Sequence, residues 1–268
     1  MLLKHLGEDA SRVLADLFEE PYEILGHHPQ IIAARKFVSR QARGYHTPVL
    51  VEGDPGTGKE LVARAIHRQS SRRSRPFLWN HNVARAESPR KLLFGYEPAS
   101  RKSHWYPGLI EQANLGTLFI GGVDELDLPT QRELLRFLET DTIRRVGSKI
   151  RGPMDTRLIF ATRVSLEVAV SSGRFLEDLY NRIAGARVGL PKLSDRRQDI
   201  PLLAEEFVRQ LAWHRIVKGL STEAIAFLQR QPWPGGVTEL KMVIRRAIET
   251  GKCEMLEVAD VRMALTGH

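Results

Sequence analysis

The run Gly53-Asp54-Pro55-Gly56-Thr57-Gly58-Lys59 has the residue types and spacing of a phosphate cradle. Its glycines accept positive φ, backbone N–H groups can turn inward, and Lys59 is placed to reach β- and γ-phosphates. Glu60 follows the lysine, where such loops usually carry a Ser or Thr hydroxyl that holds Mg²⁺. A second run, Thr117-Leu118-Phe119-Ile120-Gly121-Gly122, ends in two glycines where nucleotide chemistry needs carboxylates. The first run can grip a nucleotide, and the second lacks the groups that would help cleave it.

The elements around these runs must put them at one edge of a sheet. Val49-Leu50-Val51 is a short apolar run that reads as a buried strand, and the spacing of Leu61, Ala65 and Ile66 predicts a helix over Glu60 to Arg68. The glycines therefore sit between a strand and a helix start, whose backbone N–H groups and positive potential favour an anion. Further strands are expected at Pro76 to Trp79, Thr117 to Ile120, Leu158 to Thr162 and Ala186 to Leu190, with helices between them. That alternation predicts an α/β fold, a parallel sheet between helices with ligand at the strand C-termini. From about residue 193 strands are expected to stop, leaving helices over Ile200 to His214, Thr222 to Gln231 and Val237 to Thr250. Three units are expected: an amphipathic helix over 1–22 (Leu6, Val13, Leu14, Leu17, Phe18), an α/β subdomain over 23–192 and a small helical subdomain over 193–268.

Composition bounds the rest. A chain of 268 residues can bury one α/β core and a small extra domain. A single cysteine, Cys253, excludes an internal disulfide and fits a reducing, cytoplasmic setting. No apolar run approaches membrane-spanning length, and the charged N-terminus does not read as a signal peptide. Nine histidines form no HExxH pattern, His27-His28 reads as a loop pair, and no metal site is expected from side chains alone. The net charge of +8 is concentrated in residues 60–110, which hold ten basic and three acidic side chains. That region is a candidate nucleic-acid face, set against the simpler reading of a solvated surface.

Eight collinear segments carry a family resemblance: GDPGTGKELVARAIHRQS (53–70), LLFGYE (92–97), LIEQANLGTLFI (109–120), LLRFLE (134–139), RRVGS (144–148), GRFLEDLYNRI (173–183), LPKLSDRRQDI (190–200) and WPGGVTELKMVIRRA (233–247). From about Ile24 to Thr250 the chain resembles the central AAA+ domain of bacterial enhancer-binding proteins, the activators of sigma-54 RNA polymerase. The resemblance implies a P-loop nucleotide-binding core, an all-helical lid, and oligomeric rings with ATP between neighbours. It makes Gly53, Asp54, Pro55, Gly56, Thr57, Gly58, Lys59 and Glu60 the Walker A residues that bind ATP or ADP, and glutamate at position 60 is common in that family.

Against the family pattern, Gly121 and Gly122 replace the Walker B aspartate and glutamate, so a role for Mg²⁺ stays open. Asp124 and Glu125 are candidates to substitute, although three residues of extended chain, ~10 Å, separate Asp124 from Gly121. Leu176 stands where an arginine finger is expected, Arg174 lies two residues away, and Arg182 matches a second arginine of that motif. Thr238 replaces the lid's sensor arginine, and Thr162 fits the first sensor position. Residues 98–106 carry no trace of the Gly-Ala-Phe-Thr-Gly-Ala loop that touches sigma-54, but Arg101, Lys102, His104, Trp105 and Tyr106 mix cations with aromatics that could stack on bases or meet an acidic partner. About 22 residues precede the resemblance and about 18 follow it, too few for a sensory domain or a helix-turn-helix.

The leading expectation is a degenerate AAA+ regulatory or scaffolding module that binds nucleotide, hydrolyses it poorly or not at all, and lacks the conventional sigma-54 contact. Homo- or hetero-oligomers with AAA+ relatives and a protein regulatory partner are expected. The alternatives are an active ATPase using Asp124 or Glu125 as displaced acids, and a DNA-binding regulator using the basic 60–110 region.

Overall fold

The computed structural model describes residues 23–98, 104–212, 216–251 and 253–266. The amphipathic helix expected over 1–22 lies outside the described residues, as do Arg101 and Lys102.

Five strands make the expected parallel sheet: β1 (Val49–Glu52), β2 (Phe77–Asn80), β3 (Thr117–Gly121), and, beyond a small antiparallel ribbon of β4 (Thr142–Ile143) and β5 (Gly152–Pro153), β6 (Arg157–Thr162) and β7 (Arg187–Gly189). Their order is β2-β3-β6-β1-β7. Inside their polar ends, β1, β3 and β6 are continuous apolar runs because helices cover both faces of the sheet. Register aligns Glu52 with Thr162 and Gly189, Gly121 with Ala161, and Asn80 with Ile120. The C-terminal ends of all five strands thus share one edge, and the loops leaving them form the site.

The helix Lys59–Arg68 buries Val62, Ala63, Ala65 and Ile66 against one face of that sheet, beside Val49, Val51, Phe119 and Ile159. On the opposite face Leu50, Leu118, Ile120, Leu158 and Phe160 pack with the helix Leu128–Thr140, which starts where the Asp127 carboxylate accepts from the Thr130 N–H at 2.9 Å.

The last quarter of the chain is a helical lid with its own core, Leu203, Phe207, Leu228, Trp233, Leu240 and Ile244 among its members. Its helices are Ile200–Leu211, Thr222–Arg230, Gly236–Thr250 and Val258–Thr266, the last of which was not among those expected. The indole N–H of buried Trp233 donates to the Leu228 carbonyl at 2.8 Å, so the ring sits in the apolar core with its polar atom satisfied. Strands do not stop at 193: a two-residue parallel pair, β8 (Gly219–Leu220) with β9 (Met255–Leu256), ties the last helix into the lid. Two-residue strands carry too little periodic pattern to be seen in sequence. No helix among the described residues is long and apolar enough to cross a membrane.

Candidate nucleotide site

The phosphate loop leaves β1 at Gly53 and enters its helix at Lys59. Thr57 closes the turn by donating its hydroxyl to the Asp54 carbonyl at 2.9 Å. Gly56 sits at φ +71, and a Cβ there would lie 1.9 Å from the Gly235 carbonyl oxygen, so glycine is required twice over. The lid therefore touches the loop backbone to backbone, and the Val237 N–H donates to the Gly56 carbonyl at 2.8 Å. Lys59 Nζ donates to the Gly53 and Asp54 carbonyls at 2.6 and 2.8 Å, which holds the ammonium beside the loop it would serve. Burial pulls the Lys59 pKa below its ordinary value, and the charges of Asp54 and Asp124 oppose that shift.

Beside the loop lies a cavity of about 480 Å³ between core and lid. Gly56, Thr57 and Gly58 form one wall, Ile24, Leu25 and Ile31 another, and Leu203, Phe207, Thr238 and Lys241 the lid side. An apolar chamber ending in a glycine loop suits a heteroaromatic base whose phosphates run along backbone N–H groups. The segment leading into it is fixed by the Asp199 carboxylate, which accepts from the His27 N–H at 2.6 Å, and by Arg35, which donates to the Ile24 and Gly26 carbonyls, both at 2.9 Å. His28 caps the next helix, its Nδ1 accepting from the Gln30 N–H at 3.3 Å. The sequence did not single out Leu203 or Phe207, because only the docking of the lid brings them to the loop, nor Ile24, which packs beside Ile31 in the core of the α/β unit.

The acidic candidates are arranged differently from the extended-chain expectation. Gly122 adopts φ +66 and a short 3-10 turn over Val123–Glu125 follows, so the chain doubles back instead of running on. Asp124 Oδ1 accepts the Thr162 hydroxyl at 2.8 Å at the end of β6, near enough to Lys59 for their charges to interact. Glu125 lies with its carboxylate 3.9 Å from where a Cβ of residue 122 would be, but it pairs with Arg163 at 2.8 Å. Asp124 and Glu125 line a separate shallow cleft with Arg163 and Arg174. Arg174 Nε donates to the Ser172 hydroxyl at 3.0 Å, and Arg182 donates to the Leu138 carbonyl at 2.8 Å on the surface. Neither Arg174 nor Arg182 lines the cavity beside the phosphate loop.

A divalent cation does not fit the residues at the metal position. Phosphate-loop sites hold Mg²⁺ with the residue after the lysine and an acid at the end of the neighbouring strand. Here both carboxylate oxygens of Glu60 are engaged, Oε1 by Arg64 Nε at 2.7 Å and Oε2 by His81 Nε2 at 2.5 Å. Burial alone would raise the Glu60 pKa, but the hydrogen bonds from His81 and Arg64 outweigh it and hold the carboxyl below its ordinary value. Gly121 offers no oxygen, and Asp124, whose Oδ1 accepts from Thr162, lines the separate cleft and not the cavity beside the loop.

The basic 60–110 region spends much of its charge internally. Arg72 is buried against Asp155, Arg64 pairs with Glu60 and stacks on Trp79 with 4.2 Å to the ring centre, and Arg85 and Arg90 lie beside Glu125 and Glu133. Trp105, half exposed, is covered on one face by the Arg145 guanidinium at 4.3 Å.

A five-stranded parallel sheet with a glycine loop after its first strand, closed by a helical lid, defines a P-loop nucleotide-binding module of the AAA+ class. The chain matches the sigma-54 interaction domain over residues 24–189 and an AAA+ ATPase lid domain over residues 194–268, and it belongs to the sigma-54 activator family. It is 38% identical over 222 residues to the transcriptional regulatory protein ZraR of Salmonella typhimurium, covering 81% of this chain and 50% of ZraR. Against the sigma54-dependent transcriptional activator SfnR of Pseudomonas putida it is 36% identical over 265 residues, 94% of this chain and 68% of SfnR. Crystal structures of NtrX from Brucella abortus in complex with ADP and with ATP superpose with TM-scores of 0.80 and 0.81 at 31% and 30% identity. They cover 97% and 99% of this chain, and 58% and 60% of the NtrX chains. The chain spans about half the length of ZraR and of several other curated relatives.

Proposed function

We propose that this chain is a regulatory AAA+ module that holds ATP or ADP on its Walker A loop and hydrolyses it poorly or not at all. The observation that carries the reading is the end of β3, where Gly121 and Gly122 stand at the metal-orienting and water-activating positions. Leu176 and Thr238 at the finger and sensor positions support it. An arginine finger alone contributes roughly 10³ to 10⁵ in rate, so these departures compound. The loop geometry, the adjoining cavity and the nucleotide-bound NtrX neighbours support binding. Nucleotide would then set how lid and core are held together, with the readout passed to a protein partner or to neighbouring AAA+ subunits in the cytoplasm. Without a Gly-Ala-Phe-Thr-Gly-Ala loop, conventional sigma-54 contact is not part of this function.

A second reading has one observation in its favour. Asp124 is folded back to Thr162 and lies within electrostatic reach of Lys59, a position from which it could orient a water. Binding and hydrolysis measured on one preparation decide between the two. Nucleotide bound without turnover supports the regulatory module, and turnover at rates ordinary for the family overturns it.

A further inference from the structure

The β2–β3 register brings His81, the residue after β2, beside Gly121, the last residue of β3. A Cβ on residue 121 would lie 3.0 Å from His81 Nδ1 and 3.1 Å from His81 Cα, tighter than side chains ordinarily pack. The His81 ring is held there from two sides: its Nε2 meets Glu60 Oε2 at 2.5 Å, and its edge packs on the Phe119 ring with 5.3 Å between centres. One side chain thus stands against the position where a metal-orienting acid would project and occupies an oxygen of the carboxylate that follows the lysine.

We propose that His81 and Gly121 are a linked exchange that closes the metal position with protein, so that the loop takes a nucleoside di- or triphosphate as the free anion, without a divalent cation. This rests on the reading that the loop holds nucleotide. The charge that Mg²⁺ would neutralise is met by the chain itself. Lys59 lies on the loop and the helix Lys59–Arg68 presents its N-terminus, while Lys192 and Arg163, paired with Asp54 and Glu125, stand at the rim and could exchange those partners for phosphate oxygens. Arg64 stays on the far oxygen of Glu60, which keeps that carboxylate turned toward His81. His81 is therefore a binding determinant of a kind that sequence motifs do not mark, because its role exists only across the strand pair.

The test is the dissociation constant for ATP and for ADP, measured on the full chain in Mg²⁺ and in EDTA, for the native protein and for His81→Asn, Gly121→Asp and the double variant. The native protein is expected to bind equally in the two media, within about twofold, and the double variant to gain a Mg²⁺ preference of about tenfold, because the ring is gone and only the 3.1 Å contact with the residue-81 Cα has to ease by a few tenths of an ångström. Gly121→Asp alone is expected to gain little, since His81 still stands in the way. Native binding that is lost in EDTA overturns the proposal while leaving the nucleotide-binding reading intact. So does a double variant with no new preference, or a Gly121→Asp protein that gains the full preference alone. Absence of binding in both media overturns the proposal together with the reading beneath it. The native comparison needs no variant to fold.

Discussion

The backbone N–H of Val237 donates to the carbonyl of Gly56 at 2.8 Å, joining the first turn of a lid helix to the middle of the phosphate loop. Glycine stands on both sides of this contact, since a Cβ at Gly236 would lie 2.7 Å from the Gly56 oxygen. Lid and loop are therefore joined backbone to backbone, and neither can shift without breaking or carrying this contact.

Gly56→Ala should uncouple them. The side chain has no room against Gly235 and the residue would be held at an unfavourable φ, so the lid must move away or the loop must refold. Strain of ~1–3 kcal/mol at such a position corresponds to roughly 5- to 150-fold in nucleotide affinity. Titration with ATP and limited proteolysis of the lid check this, and unchanged affinity with unchanged protection would sink it.

Turnover variants separate the two functional readings. Lys59→Ala should abolish nucleotide binding, since it removes the loop's own cation. Asp124→Asn should leave the slow native hydrolysis rate unchanged within about twofold if Asp124 only accepts from Thr162, whereas a general base contributes ~10² or more. Equilibrium titration with ATP measures the first and single-turnover hydrolysis the second, and a hundredfold loss in Asp124→Asn would favour the active-ATPase reading.

His67 gives the fold a pH dependence. Burial, reinforced by the charges of Arg157, Arg68 and Arg64, lowers its pKa from 6.5 to about 4, and its Nδ1 lies 2.9 Å from the Thr117 hydroxyl. Below pH 6.5 the unfolded chain takes up a proton that the folded chain refuses until about pH 4, so this group costs stability as pH falls through that window. By pH 5 the loss should be about 2 kcal/mol relative to pH 7.5. Denaturant unfolding of the native protein and of His67→Gln should show the native stability dropping more steeply between those two pH values. Parallel curves would rule out His67 as the cause.

Arg72 is a structural guanidinium. Only 2% exposed, it donates to the Gly116 carbonyl at 3.2 Å, to the Asp155 carbonyl at 3.0 Å and to the Asp155 carboxylate, while its guanidinium lies 4.1 Å from the centre of the Tyr45 ring. It pins the starts of β3 and β6 at the edge away from the nucleotide. Arg72→Ala should cost about 1–3 kcal/mol, because the Asp155 carbonyl loses a buried donor while the Asp155 carboxylate keeps the Tyr45 hydroxyl and the Gly116 carbonyl keeps the Arg157 N–H. Urea unfolding would register the loss, and nucleotide affinity of the folded fraction should change little.

Much of the architecture could be read from periodicity. The expected strands Val49 to Val51, Thr117 to Ile120 and Leu158 to Thr162 are the centre of the sheet and lie within a residue of their observed limits. They were legible because strands buried on both faces must be apolar without interruption. The lid was less so: its last helix and the β8–β9 pair are short and draw their stability from packing on Val217, Leu220 and Leu256. In the site, the path from Gly121 to Asp124 could be read only as ~10 Å if extended or shorter if the glycine pair bent it, and Gly122 does turn the chain back, so that Asp124 meets Thr162. The ten basic residues of 60–110 looked like a surface, yet Arg72 faces inward, a distinction that charge counting does not make.

By itself the sequence determined that a glycine loop with Lys59 lies between a strand and a helix, and that no carboxylate stands at Gly121 or Gly122. Both are local: loop conformation follows from glycine spacing, and an absent side chain cannot be restored by folding. Tertiary structure alone decided what fills the vacancy and what covers the loop. His81 reaches Gly121 only through the β2–β3 register, and Gly235 reaches Gly56 only when the lid core closes around Trp233. These contacts join residues far apart in the chain and are held by burial across whole elements, which no local pattern encodes.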